Sequence, residues 1–107
     1  MNNMKFIGHI IWVGPIKYYE KDGVMKPFRD FVIEEEPTGE WKQRIVLSAT
    51  RMKVLTVIEQ IEAQGIPSTV ELEAFIDTRV NHILENSDRQ YGKLYCWNLL
   101  DKEGGQA

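Results

Sequence analysis

The first half of the chain shows three apolar or alternating segments separated by turn residues. Residues 5–13 are apolar at both parities, which predicts a long strand covered on both sides, and Gly8 within it predicts a sharp bend. Residues 28–36 and 41–49 alternate with period two and predict a second and a third strand. The dipeptide Asp22-Gly23 lies in the first loop and is a strong hairpin signal. The pattern therefore predicts a three-stranded meander.

After residue 50 the apolar period becomes helical. Met52, Leu55, Ile58 and Ile61 recur at every third position, which predicts an amphipathic helix over residues 51–64. We expect Thr50 to be its N-cap and Gly65-Ile66-Pro67 to end it.

Two further strands follow the predicted helix. Residues 70–77 alternate cleanly and predict a fourth strand, and residues 93–100 predict a fifth. The resulting order, β-β-β-α-β-β, is all-β with one helix and is typical of a five-stranded OB-fold barrel whose helix plugs one end. An SH3-like barrel and a generic α+β sheet remain open as alternatives.

Length and composition limit the chain to one ordinary globular domain. With 107 residues it fits a single OB-fold domain over 1–101, followed by a flexible, polar C-terminal tail over 102–107. No apolar stretch approaches the ~20 residues of a membrane span, and the first residues do not resemble a secretory signal. The lone Cys96 excludes an internal disulfide framework. We expect a cytoplasmic protein without membrane contact.

Charge is unevenly distributed along the chain. The net charge is −3, but residues 1–53 hold nine Lys or Arg against seven Asp or Glu, whereas residues 54–107 hold four against nine. Such a split lets one face attract a polyanion while another repels it. Chance scatter of surface charge would give the same counts.

Basic and aromatic residues concentrate in the regions that an OB barrel uses for binding, which are its second and third strands and two of its loops. Aromatic side chains stack on unpaired bases for about 1–3 kcal/mol each, and cations neutralise phosphates. We therefore predict a nucleic-acid-binding site made of Lys17, Tyr18, Tyr19, Lys21, Lys26, Arg29, Phe31, Trp41, Lys42, Arg44, Arg89, Tyr91 and Lys93.

Several of these residues also have simpler interpretations. The tyrosine pair can pack over the end of the barrel, and Trp41 can cover its mouth or contact another subunit. Trp12 is expected in the core. The acidic run at residues 34–36 beside the predicted site argues against tight binding of a polyanion there.

Catalytic chemistry finds little support in the sequence. His9 and His82 have no partner at a metal-ligand spacing, and the chain has no glycine-rich phosphate loop. Ser48 and Cys96 lack the glycine elbow of a nucleophile. We predict no enzyme activity, no metal and no cofactor.

Three short segments carry a resemblance to a known group of proteins. They are residues 6–10 (FIGHI), residues 28–34 (FRDFVIE), and residues 92–95 (GKLY) with Trp97-Asn98. In these the chain resembles short bacterial OB-type proteins of uncharacterised function, found in Bacteroidetes and their phages and related in outline to single-stranded DNA-binding proteins. The resemblance implies an OB fold and binding to single strands.

Together these patterns favour a non-enzymatic protein that binds single-stranded DNA or RNA, with DNA preferred, by stacking and phosphate neutralisation. The alternative is an OB-type module for protein–protein assembly that binds no nucleic acid, as the net negative charge allows. A homo-oligomer is expected in either case, because the first and fourth strands offer an edge or face that needs cover.

Overall fold

The computed structural model describes residues 3–35, 43–77 and 94–101. Within these ranges the chain forms six strands and one helix. The elements are β1 (Asn3–Val13), β2 (Lys17–Lys21), β3 (Val24–Glu34), β4 (Arg44–Ala49), α1 (Met52–Gln64), β5 (Leu72–Asp77) and β6 (Tyr95–Asp101).

Five of the six strands close into a ring. The sheet runs β1-β5-β6-β4-β3-β2, and an additional pairing of β1 with β3 closes the ring and leaves β2 outside it. The contact between β4 and β6 is parallel and short: Ser48 pairs with Tyr95, and the Ser48 N–H donates to the Leu94 carbonyl at 2.9 Å. With α1 between β4 and β5, the predicted all-β barrel with one helix, the OB fold, is confirmed.

β1 changes partners partway along its length. Its first part pairs with β5 from Asn3 to Gly8, and its second part pairs with β3 from His9 to Val13. A Cβ atom at Gly8 would overlap the carbonyl oxygen of Glu34, so the backbones of β1 and β3 approach there more closely than any other residue allows. The glycine that predicted a bend is thus the residue at which β1 changes partner.

The inner faces of the strands and one side of α1 form the hydrophobic core. On the helix, Val54, Leu55, Val57, Ile58 and Ile61 are buried, whereas Met52 remains 67% exposed. The largest side chains that are fully enclosed are Phe31, Ile10, Ile33, Leu47, Ile58, Leu72, Ile76 and Leu99.

The helix ends nearly where the sequence predicts, but its N-cap differs. Arg51 occupies the N-cap position in an extended conformation and makes no side-chain capping bond, so the prediction of Thr50 is wrong. The Gly65 N–H donates to the carbonyls of Ile61 and Glu62 and ends the helix as predicted. In the part of the chain that the structure describes, no helix has the length and apolar character needed to cross a membrane.

A second difference is one strand more than predicted. The segment treated as a first loop forms β2, which pairs with the beginning of β3 and lies outside the closed ring. Alternating Lys, Tyr and Glu side chains on β2 are mostly exposed, so the strand lacks the buried apolar face by which sequence patterns are recognised.

The position of Trp12 is also corrected. It was expected in the core but is 49% exposed. β1 carries an irregularity between Ile10, which pairs with Ile33, and Trp12, which pairs with Val32. Since β3 alternates regularly, the extra residue in β1 places Trp12 outside while Ile10 stays inside.

Candidate nucleic-acid interface

The hairpin of β2 and β3 carries most of the predicted site that the structure describes. Its two-residue turn is Asp22-Gly23, and both residues have positive φ angles, 54° and 77°. These angles are typical of a type I′ turn, which matches the twist of two antiparallel strands. The turn sets the register, in which Lys17 faces Phe28 and Tyr19 faces Lys26.

Paired residues project from the same side of a sheet, so this register divides the hairpin into two surfaces. The outer surface, here called the lysine face, holds three exposed lysines and two half-buried aromatic rings. The rings of Tyr19 and Phe28 pack edge to face, with centroids 5.9 Å apart and planes at 65°. No carboxylate shares these positions. The lysine face consists of Lys17, Tyr19, Lys21, Val24, Lys26 and Phe28.

The opposite surface, here called the helix side, faces α1. Tyr18 lies there, 61% exposed, on the other side of β2 from Tyr19. An open pocket of about 220 Å³ separates the hairpin from the helix, and it is lined by Ile16, Tyr18, Pro27, Arg29, Met52, Leu55 and Glu59. The two tyrosines predicted as one stacking pair therefore belong to different surfaces.

Arg29 is not placed to contact phosphate. Its side chain is 8% exposed, and its two terminal nitrogens donate to the Glu62 carboxylate at 3.1 and 3.0 Å. Its Nε donates to the Gly14 carbonyl at 2.9 Å. This bidentate ion pair connects β3 to α1, and it corrects the prediction, because the guanidinium points into the protein.

Phe31 is likewise on the inner side of β3. It is 0% exposed and pairs with Leu47 of β4 in the core. An enclosed ring cannot stack on a base, so this predicted contact is corrected as well. Both errors have the same cause: from Arg29 onward the odd-numbered residues of β3 point inward, and the site lies on the even-numbered ones.

On the outside of the barrel, farther along β3 than the lysine face, three apolar side chains form a row, here called the apolar row. Val32 pairs with Trp12 of β1 on one side and with Val46 of β4 on the other. Trp12 is 49% exposed and Val46 is 59% exposed. This row is not predictable from the sequence, because residues 10–13 are apolar at both parities and nothing in them indicates the extra residue in β1.

Polar pairs flank the apolar row on both sides. Toward the lysine face, the Ser48 hydroxyl donates to the Asp30 carboxylate at 2.6 Å. Toward the other end, Arg44 Nε donates to Glu34 Oε2, also at 2.6 Å. Arg44 is thus on the predicted outer surface and exposed, but its charge is shared with a carboxylate.

The other five predicted residues lie outside the described residues. They are Trp41, Lys42, Arg89, Tyr91 and Lys93.

The described residues offer little other chemistry. Burial raises the pKa of the Cys96 thiol to about 12, so the reactive thiolate is scarce at neutral pH. Within residues 3–35, 43–77 and 94–101, no three His, Cys, Asp or Glu side chains come together as metal ligands would.

Comparison with known proteins bears on the fold. No protein-family model and no curated protein matches the chain. Among solved structures, it is similar to the dimeric structure of the N-terminal domain of PriB from Thermoanaerobacter tencongensis, with a TM-score of 0.55 and 12% identity over 94% of each chain. At this identity, the similarity supports the fold alone.

Proposed function

We propose that this protein binds single-stranded nucleic acid, DNA in the first instance, on the lysine face and the adjoining outside of the barrel, without catalysing a reaction. One observation carries the proposal: Lys17, Lys21 and Lys26 surround Tyr19 on a single surface that holds no carboxylate. Ammonium groups suit phosphates, and an aromatic ring between them suits a base.

The arrangement of the two aromatic rings favours unpaired bases. Phe28 holds Tyr19 edge to face, which leaves Tyr19 partly exposed in a fixed position. A ring held in this way offers a stacking partner that only an unstacked base can use. In a duplex the bases are already stacked on each other, so the ring would contribute nothing.

The acidic net charge of the chain does not oppose this function, because the lysine face carries no carboxylate, and Asp30 and Glu34 farther along β3 are hydrogen-bonded to Ser48 and Arg44. Helix α1 carries Glu59 and Glu62, and Glu73 of β5 is bound to Lys5 at 3.1 Å. A surface with one sign of charge attracts a polyanion even when the whole protein is weakly negative. The same separation would keep a bound strand on one side of the barrel.

The proposed site is narrower than the site predicted from the sequence. It keeps those members of the lysine face that were predicted, and Arg44 at its far end. Tyr18, Arg29 and Phe31 are left out because of their positions. Trp41, Lys42, Arg89, Tyr91 and Lys93 remain predictions.

The experiment is a titration of a fluorescein-labelled thymidine oligomer of about 16 nucleotides, followed by anisotropy at about 50 and about 200 mM salt. The test variant combines Lys17→Gln, Lys21→Gln and Lys26→Gln. The control combines Lys5→Gln, Arg51→Gln and Lys53→Gln, which changes the net charge by the same amount on other surfaces.

We expect the wild type to bind and the affinity to fall with salt. Each lost phosphate contact lowers the salt slope by about 0.7, so the test variant should lose about 2 units of slope and the control much less. The proposal is wrong if the wild type does not bind at the lower salt, or if both variants lose the same amount of salt slope.

The second candidate is a protein-assembly module, favoured by exposed apolar side chains on the helix side. Ile16, Met25 and Met52 are 51%, 61% and 67% exposed. The similar PriB domain is described as dimeric, which supports self-association of this chain as well. Light scattering on a size-exclusion column would measure the oligomer, and its loss in Met25→Glu with Met52→Glu would assign the helix side to that contact.

A further inference from the structure

We propose that Trp12 is the main platform for an unpaired base, so that a base lies over the apolar row of Trp12, Val32 and Val46 while the lysines of the lysine face bind the phosphates. This inference rests on the proposed function and assigns the base contact to a residue that the sequence places in the core.

The irregularity in β1 exposes Trp12. Ile10 and Ile33 pair inside the barrel, and an uninterrupted strand would bring residue 12 to the same inner side. The extra residue reverses the parity, and Trp12 reaches the outside at 49% exposure. Bulges that redirect a side chain in this way are common beside functional sites.

The indole of Trp12 packs directly against Gly14. Trp12 Cη2 and Cζ3 lie 2.8 and 3.2 Å from the position that a Cβ atom of residue 14 would occupy. The Gly14 N–H donates to the Asp30 carbonyl at 2.8 Å, which fixes the backbone beneath the ring. The six-membered ring therefore occupies space left by a missing side chain. A ring that is positioned before the ligand arrives loses little conformational entropy on binding.

Charges around the apolar row separate bases from phosphates. Asp30 and Glu34 stand on either side of Val32 along β3, so a phosphate directly over the row would meet two carboxylates. An uncharged base meets no such penalty. Phe28 precedes Val32 by four residues, or about 13 Å along the strand, and one bound strand can cover both because an OB fold contacts roughly 4–16 nucleotides.

A second copy of the chain is the other possible occupant of the row. Three side chains bury far less than the roughly 1,200–2,000 Å² of a stable protein interface, so the row suits one or two bases better than a subunit.

The experiment compares two labelled oligomers of equal length: a thymidine oligomer and an abasic one that keeps only the sugar-phosphate chain. Both are titrated against the wild type, Trp12→Ala, Gly14→Ala and Tyr18→Ala. Tyr18→Ala is the matched control, since it removes an exposed aromatic ring from the helix side. Circular dichroism and thermal unfolding confirm that each variant is folded.

We expect Trp12→Ala to weaken thymidine binding roughly 5–150-fold, equivalent to about 1–3 kcal/mol for a stacked base. Its binding to the abasic oligomer and its salt slope should match those of the wild type. Gly14→Ala should give a smaller loss of the same kind, because its Cβ displaces the indole. Tyr18→Ala should bind both oligomers like the wild type.

The failures are distinguishable. If Trp12→Ala binds thymidine normally while the lysine variant does not, the inference is wrong and the proposed function stands. If Trp12→Ala weakens both oligomers equally, or converts an oligomer to monomers, the residue acts through structure or assembly and the inference is again wrong. If the wild type binds neither oligomer, the proposed function fails too.

Discussion

The two surfaces of the β2–β3 hairpin are built from the same short stretch of chain but are suited to different tasks. In residues 17–21, alternate positions go to the lysine face and to the helix side. The lysine face is charged and open. The helix side leads into the pocket against α1 and ends in the ion pair of buried Arg29 with half-exposed Glu62. In a strand, neighbours in sequence are on opposite surfaces, so a site has to be sought at every second residue.

The inward and outward residues of β3 also differ in whether they contribute mainly to stability or to binding. Inward residues of β3 are enclosed and hydrogen-bonded, so their replacement should mainly change the free energy of unfolding. Outward residues are exposed or half-buried and contribute less to folding, so their replacement should mainly change affinity. Four substitutions test this division, in order of decreasing expected effect.

Phe31→Ala should lower the free energy of unfolding by about 3–5 kcal/mol, because it removes a fully enclosed ring. Urea denaturation measures this effect. Phe31→Leu keeps most of the volume and allows binding to be measured in a folded protein. A large loss of oligonucleotide affinity in stable Phe31→Leu would return Phe31 to the binding surface.

Arg29→Met should lower the free energy of unfolding by about 2 kcal/mol. It leaves the Gly14 carbonyl without its charged donor, while Glu62 is half exposed and keeps some hydration. Arg51→Met, at an exposed position, is the control and should change stability by less than about 0.5 kcal/mol. A lower salt slope of oligonucleotide binding in Arg29→Met would contradict its structural assignment.

Tyr19→Ala should weaken oligonucleotide binding by about 1–2 kcal/mol, toward the lower end for base stacking, because Phe28 already covers one part of the ring. Tyr18→Ala should leave affinity within about twofold of the wild type. Anisotropy titrations of the two variants side by side measure the difference. Equal losses would mean that the two surfaces do not differ in binding.

Glu34→Gln should have the smallest effect on folding, about 0.5 kcal/mol or less, because the ion pair with Arg44 is exposed on the arginine side. It frees Arg44 for a phosphate, so the salt slope should rise by as much as about 0.7. Affinity at two salt concentrations checks this. An unchanged slope would place Arg44 beyond the reach of the bound strand.

Much of the fold could be predicted from the sequence, since regular alternation fixes the phase of a strand. In β4, Leu47 and Ala49 were predicted to share one face and Arg44 and Val46 the other, and the first pair is buried while the second is exposed. The helix was recognisable because its period differs from that of the strands around it.

The site was less predictable, for two physical reasons. Alternation places Arg29 and Phe31 on the same face of the strand, as the structure has them. It does not tell which face is the core, because a charged residue on a face normally indicates the outside. Here the burial of the Arg29 charge is offset by Glu62, which lies 33 residues away in sequence. An inserted residue within the apolar run 10–13 does not change the hydropathy pattern, so the exposure of Trp12 could not be predicted from the sequence.

The barrel closes through the pairing of β1 with β3, and β2 is attached only to the outer end of β3 among the described strands. The three lysines proposed to contact phosphate therefore lie on a part of the hairpin that does not contribute to the closure of the barrel. Mutations in this hairpin can change charge, length or ligand while the ring beneath remains intact. The chain thus combines a closed core with an attached hairpin, and the exposed side chains of that hairpin are not needed for the closure of the ring.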